Sequence, residues 1–117
     1  MTMFDTSIII FEDGALDDIE RYGGLEKNEC YDPGFIKKSY GTNLGRIPES
    51  WYGYLGKGHK MDWGSYLYVC NRDLLERLLE LENTFIWDRV FGQPSKKIDF
   101  SEIPKCPKYG ILEVEEY

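Results

Sequence analysis

Histidine is almost missing from this sequence, with His59 alone, and cysteine is sparse, at Cys30, Cys70 and Cys106. A metal site needs three or four ligands at close spacing. One imidazole and scattered thiols supply no such set. An odd number of distant cysteines also argues against a disulfide framework, so free buried thiols are expected. Long apolar runs are lacking too. None approaches the roughly 18 residues that a membrane helix needs. The first residues, MTMFDTSIII, are acidic and have no basic n-region, so they do not read as a secretory signal. The expected compartment is the cytoplasm, with no membrane partner.

Positive charge is the next scarcity. Fourteen Lys and Arg face 21 Asp and Glu among 117 residues, a net charge of −7. Such a field repels nucleic acid and attracts basic proteins. The charge is blocked rather than mixed. Residues 1–33 hold nine acids against Arg21 and Lys27. Residues 34–72 hold two acids against six bases, and residues 73–117 ten acids against six bases. Blocked charge of this kind points to partners.

Catalytic signatures are wanting as well. Gly53 and Gly58 have the outer spacing of a phosphate loop, but His59 stands where the lysine belongs and Lys60 where the hydroxyl belongs. A nucleophile pair of His59 with Cys70 or Cys106 is conceivable, and no spacing brings them together. No carboxylate pair stands out for acid–base work. The expectation is a chain that is not an enzyme and takes no cofactor and no metal.

What is present reads as one domain over 1–117, long enough to bury a core unaided. Thr6–Phe11 is β-branched and apolar, a buried strand. Leu16, Ile19 and Tyr22 recur at helical spacing after Asp13-Gly14, and Gly23-Gly24 ends that helix. Glycines and aromatics crowd residues 25–64, which read as a long ordered loop. A possible strand lies at Phe35–Tyr40 and a one-turn helix near Arg46–Trp51. Tyr66–Cys70 alternates as a strand. Asn71 caps a helix whose stripe is Leu74, Leu75, Leu78, Leu79 and Leu81. Thr84–Phe91 leans to strand, Lys97–Phe100 to a brief strand, and the segment from Tyr109 to a final strand. Strands and helices without strict alternation predict an α+β fold: a mostly antiparallel sheet with two helices on one face and the glycine/aromatic-rich loop.

Two surface features compete for function. Trp51, Tyr52, Tyr54, Lys57, His59, Lys60 and Trp63 interleave rings with cations, a pattern that suits single-stranded nucleic acid. The acidic remainder opposes it, so direct nucleic-acid binding is not expected. The other feature is the acids. Glu12, Asp13, Asp17, Asp18 and Glu20 face only Arg21 locally. Glu26, Glu29 and Asp32 follow, and Glu76, Glu80 and Glu82 fall on the outer side of the second helix. Rigid carboxylates several Å apart can present the charge repeat of a DNA backbone.

In these acidic stretches, and in Glu113–Glu116, the chain resembles the DNA-mimic proteins and, second, the immunity proteins that neutralise nuclease toxins. The likeness is one of surface, so no residue role carries over by position. It implies a monomeric inhibitor or regulator that occupies the nucleic-acid-binding surface of a basic protein, such as a histone-like nucleoid protein or a nuclease. The eleven acids named above would be its contacts, aided by Tyr22, Tyr31 and Trp87.

Overall fold

The structure, a computed structural model, describes residues 3–11, 36–62, 65–89 and 92–116. The helix expected over 14–22 and residues 25–35 of the expected loop lie outside them. The described elements run β1 (Met3–Phe11), β2 (Ile36–Thr42), α1 (Glu49–Leu55), β3 (His59–Asp62), β4 (Ser65–Cys70), α2 (Arg72–Glu82), β5 (Ile86–Asp88), β6 (Lys96–Ile98), a 3₁₀ turn (Phe100–Glu102) and β7 (Tyr109–Glu116). The strands form one antiparallel sheet in the order β3-β4-β7-β1-β2-β5-β6. With both described helices on one face, this is the expected α+β architecture.

β1 is central because its Ile8-Ile9-Ile10 run is apolar toward both faces, and all three side chains are buried. Ile8 aligns with Tyr40 and Ile111, and Ile111 with Tyr68. That face carries the core, where Trp51 of α1 and Leu75, Leu78 and Leu79 of α2 join the sheet residues. On the other face, Ile9 and Leu67 are 1% and 0% exposed. There Gly110 leaves room for a ring: an added Cβ would lie 2.5 Å from Phe11 Cζ and 2.8 Å from Leu67 Cδ1.

α2 forms as its sequence dictates. The Asn71 side chain accepts from the Leu74 N–H at 2.8 Å. Asn83 closes the helix in the left-handed region at φ 47°, while the N–H groups of Asn83 and Thr84 donate to the Glu80 and Leu79 carbonyls. This reciprocal closure satisfies carbonyls that the helix end would orphan. Leu81, expected in the apolar stripe, is instead 60% exposed, because six steps of 100° carry it well round the axis from Leu75. Eleven residues of helix reach about 16 Å. That is close to the roughly 19 Å of four strand spacings that separate β4 from β5. α2 therefore carries the chain over β7, β1 and β2.

The expected loop over 25–64 is corrected in its described part, since residues 36–62 contain β2, α1 and β3. Pairing decides what local propensity leaves open. β2 lies against β1 from Ser7↔Gly41 to Phe11↔Ile36. β3, with no β-branched residue, forms as an edge strand against β4. α1 is held by buried Trp51 and by Glu113, whose Oε2 accepts the Ile47 N–H at 2.8 Å where the chain enters the helix.

Candidate partner-binding surface

The acids expected to make the contact divide into two groups. Glu12, Asp13, Asp17, Asp18, Glu20, Glu26, Glu29 and Asp32, with Tyr22 and Tyr31, lie outside the described residues. The described residues fix where that segment is anchored. Phe11 and Ile36 are paired neighbours on adjacent strands, so residues 12–35 leave and re-enter the sheet at one place. Residues 12–35 also hold eight acids and two bases of the chain's 21 and 14, leaving thirteen acids against twelve bases elsewhere. Nearly all the net charge thus belongs to one insertion, and the described sheet and helices are close to neutral.

The second group is described. Glu76, Glu80 and Glu82 are exposed on α2, and among the described residues none of them forms an ion pair. Glu76 and Glu80, one turn apart, repel each other by a few tenths of a kcal/mol. Arg72, four residues before Glu76, would offset this on an isolated helix. Its guanidinium turns away instead. It donates to the carbonyls of Ile103 at 3.0 Å and Phe100 at 3.2 Å and to the Tyr109 hydroxyl oxygen at 2.9 Å, and it stacks 4.0 Å from the centre of the Phe100 ring. Tyr109 in turn donates to the Pro104 carbonyl and accepts from the Cys106 N–H. Arg72 thus ties the start of α2 to the 99–108 segment.

β4 ends at Cys70, aligned with Tyr109, next to the Gly110 that aligns with Ile9. The first turn of α2, with exposed Asp73, therefore stands at the same end of the sheet as Phe11 and Ile36, about 10 Å across two strand spacings from β1. Glu80 and Glu82 lie toward the other end. Along α2, from Arg72 to Asn83, the helix, β5, β6 and the 3₁₀ turn line a cleft of about 1020 Å³. No local pattern foretells it, because its sides come from separate elements.

Several other expectations are relocated. Glu113, expected among the surface acids of the final strand, is 5% exposed and structural, also accepting from the Tyr52 hydroxyl at 3.2 Å. Its register opposite Thr6 and Tyr66, on the face of Tyr109 and Ile111, is the period-two signal that would have found it. Trp51 is 1% exposed, a core ring rather than a base-stacking platform. Trp63 lies outside the described residues, and Tyr54 and Tyr66 are exposed. Trp87 on β5 is half-buried.

His59 aligns with Leu67, which puts it on the face opposite Cys70, three residues on. These two cannot form a nucleophile pair. Burial pushes the Cys70 thiol up to about 12, the reverse of activation. Lys38 is raised by its bond to Tyr40 and by Asp88, 3.4 Å away. Among the described residues no cluster of His, Cys, Asp and Glu could hold a metal ion, and no helix is long and apolar enough to cross a membrane. Comparison of the chain with protein-family models, with curated proteins and with solved structures gives no match.

Proposed function

We propose that this chain is a non-enzymatic acidic binding protein that occupies the nucleic-acid-binding surface of a basic protein. One observation carries the reading: the negative charge is concentrated in residues 12–35, which are anchored at the paired ends Phe11 and Ile36 of a nearly neutral sheet. Both ends of this charge block are fixed at one place on the sheet. The same number of acids scattered over the surface would only lower the net charge. Asp73 and Glu76 on α2 extend the negative surface from that end of the sheet. Electrostatic attraction would speed encounter and suppress wrong partners. The partner class is a nucleoid protein or nuclease whose own site is built for phosphates.

The test is competition. A fluorescent duplex bound to a histone-like nucleoid protein, and in parallel to a basic nuclease, is titrated with the full chain. Displacement of the duplex is expected from at least one of them, weakening steeply between low and high salt. Changing Glu12, Asp13, Asp17, Asp18 and Glu20 to their amides should abolish it. Absence of displacement at low salt, or displacement indifferent to salt, rejects the reading.

A further inference from the structure

The cleft beside α2 is lined by three cations, Arg72, Lys97 and Lys105, by three acids, Glu76, Glu80 and Asp99, and by apolar side chains. Leu79 and Ile86 are buried, and Ile98 and Phe100 are half-buried, so its bottom is apolar. Glu76 and Glu80 stand above it, exposed. The cations on the lining are largely engaged. Arg72 spends its donors on the Ile103 and Phe100 carbonyls and Tyr109, and the Lys97 ammonium sits 3.8 Å from the centre of the Phe85 ring. Lys105 and Asp99, both exposed, add one charge of each sign. With Arg72 turned away, Glu76 and Glu80 form a pair of carboxylates one turn apart beside the apolar part of the lining.

Resting on the function proposed above, we infer that this cleft receives an arginine side chain from the basic partner. Its methylenes lie along Leu79, Ile86 and Ile98, and its guanidinium bridges Glu76 and Glu80. Side chains four apart on a helix have Cβ atoms about 5–6 Å apart. A planar fork of five donors can serve two carboxylates at that separation, whereas an ammonium is a compact point charge. The apolar stem of arginine matches the floor, which a free metal ion or a polyamine nitrogen would leave unfilled. The cleft, which runs along α2 from Arg72 to Asn83, would thus act as an anchor beside the helix and so fix the orientation of the partner.

The experiment repeats the duplex-displacement assay with Glu76→Gln/Glu80→Gln in the full chain, its fold checked by urea midpoint. It adds titration of the ¹⁵N-labelled wild type with acetyl-Leu-Arg-Leu-amide, acetyl-Leu-Lys-Leu-amide and acetyl-Leu-Glu-Leu-amide. The double variant should displace duplex about tenfold less well, as expected for loss of charge-assisted hydrogen bonds. The arginine peptide should shift the amides of Glu76, Glu80, Ile86 and Ile98 more than the lysine peptide does, and the glutamate peptide should leave them in place. Equal displacement by variant and wild type overturns the anchor and leaves the wider reading standing. So does equal response to the arginine and glutamate peptides. Failure of the wild type itself to displace duplex removes both.

Discussion

Glu113 shows how one residue can change meaning between sequence and fold. In the run Glu-Val-Glu-Glu it counts as one more surface acid. On β7 it shares a face with Tyr109 and Ile111 and becomes the acceptor that fixes the entry to α1. Its neighbour Tyr52 donates to it, and Arg46 is raised by its own bond to Tyr52. Removing the carboxylate leaves the Ile47 N–H without a partner, while its amide analogue keeps one accepting oxygen. Glu113→Ala should therefore cost about 1–3 kcal/mol, and Glu113→Gln clearly less, read as shifts in urea midpoint. Equal losses for the two variants would show that charge, not hydrogen bonding, is what position 113 supplies. Gly41 illustrates a milder constraint. Its missing side chain lets Arg89 cross the sheet to Asp5, with Nη2 3.0 Å from Oδ1. That pair is partly exposed, and such pairs are worth about 0–1 kcal/mol.

Among the elements, α2 is legible in its start, its stop and its stripe up to Leu79, with Leu81 the exception. Asn71, the leucine stripe and Asn83 encode start, face and stop around one helix of eleven residues, because helix hydrogen bonds are local. Asn71→Ala should cost about 1 kcal/mol by losing the cap. Asn83→Ala should cost about 1–2 kcal/mol by forcing an ordinary side chain into the left-handed region. Both should appear as lower denaturation midpoints, and a variant that matched wild type would deny that its cap matters. β1, β4 and β7 were legible too, as apolar or alternating runs. β3 was not, since His-Lys-Met-Asp carries no strand signal and pairs only because β4 offers an edge. β5 is shorter than its β-branched and aromatic run predicts: of Thr84–Phe91, the described strand holds Ile86–Asp88. α1 starts later than the Arg46–Trp51 stretch predicts, because Trp51 burial and Glu113 hold it over Glu49–Leu55, not local propensity.

For the whole molecule, the candidate surface was legible as composition and not as geometry. The charge block is written in residues 12–35. The cleft depends on Arg72 turning inward and on β6 lying beyond β5, and both are consequences of pairing that no window of sequence contains. The same folding buries two groups whose ionisation tests the packing of the helix-bearing face. Burial raises Cys70 from 9.0 to about 12. Tyr68 is raised from 10.0 to about 12, first by burial and then by Tyr52 and Glu113. In the unfolded chain these groups ionise near their ordinary values, while in the native protein they stay protonated. Between about pH 9 and 12 the native state binds more protons than the unfolded one, so stability falls as pH rises. The contribution is intact below pH 9 and gone once pH passes the native values. Urea midpoints should therefore decline above pH 9, and Cys70→Ala with Tyr68→Phe should flatten that decline even though each lowers stability at neutral pH. A wild-type midpoint that stayed level to pH 11 would mean that water reaches both side chains and that the seal between α1, α2 and the sheet is open.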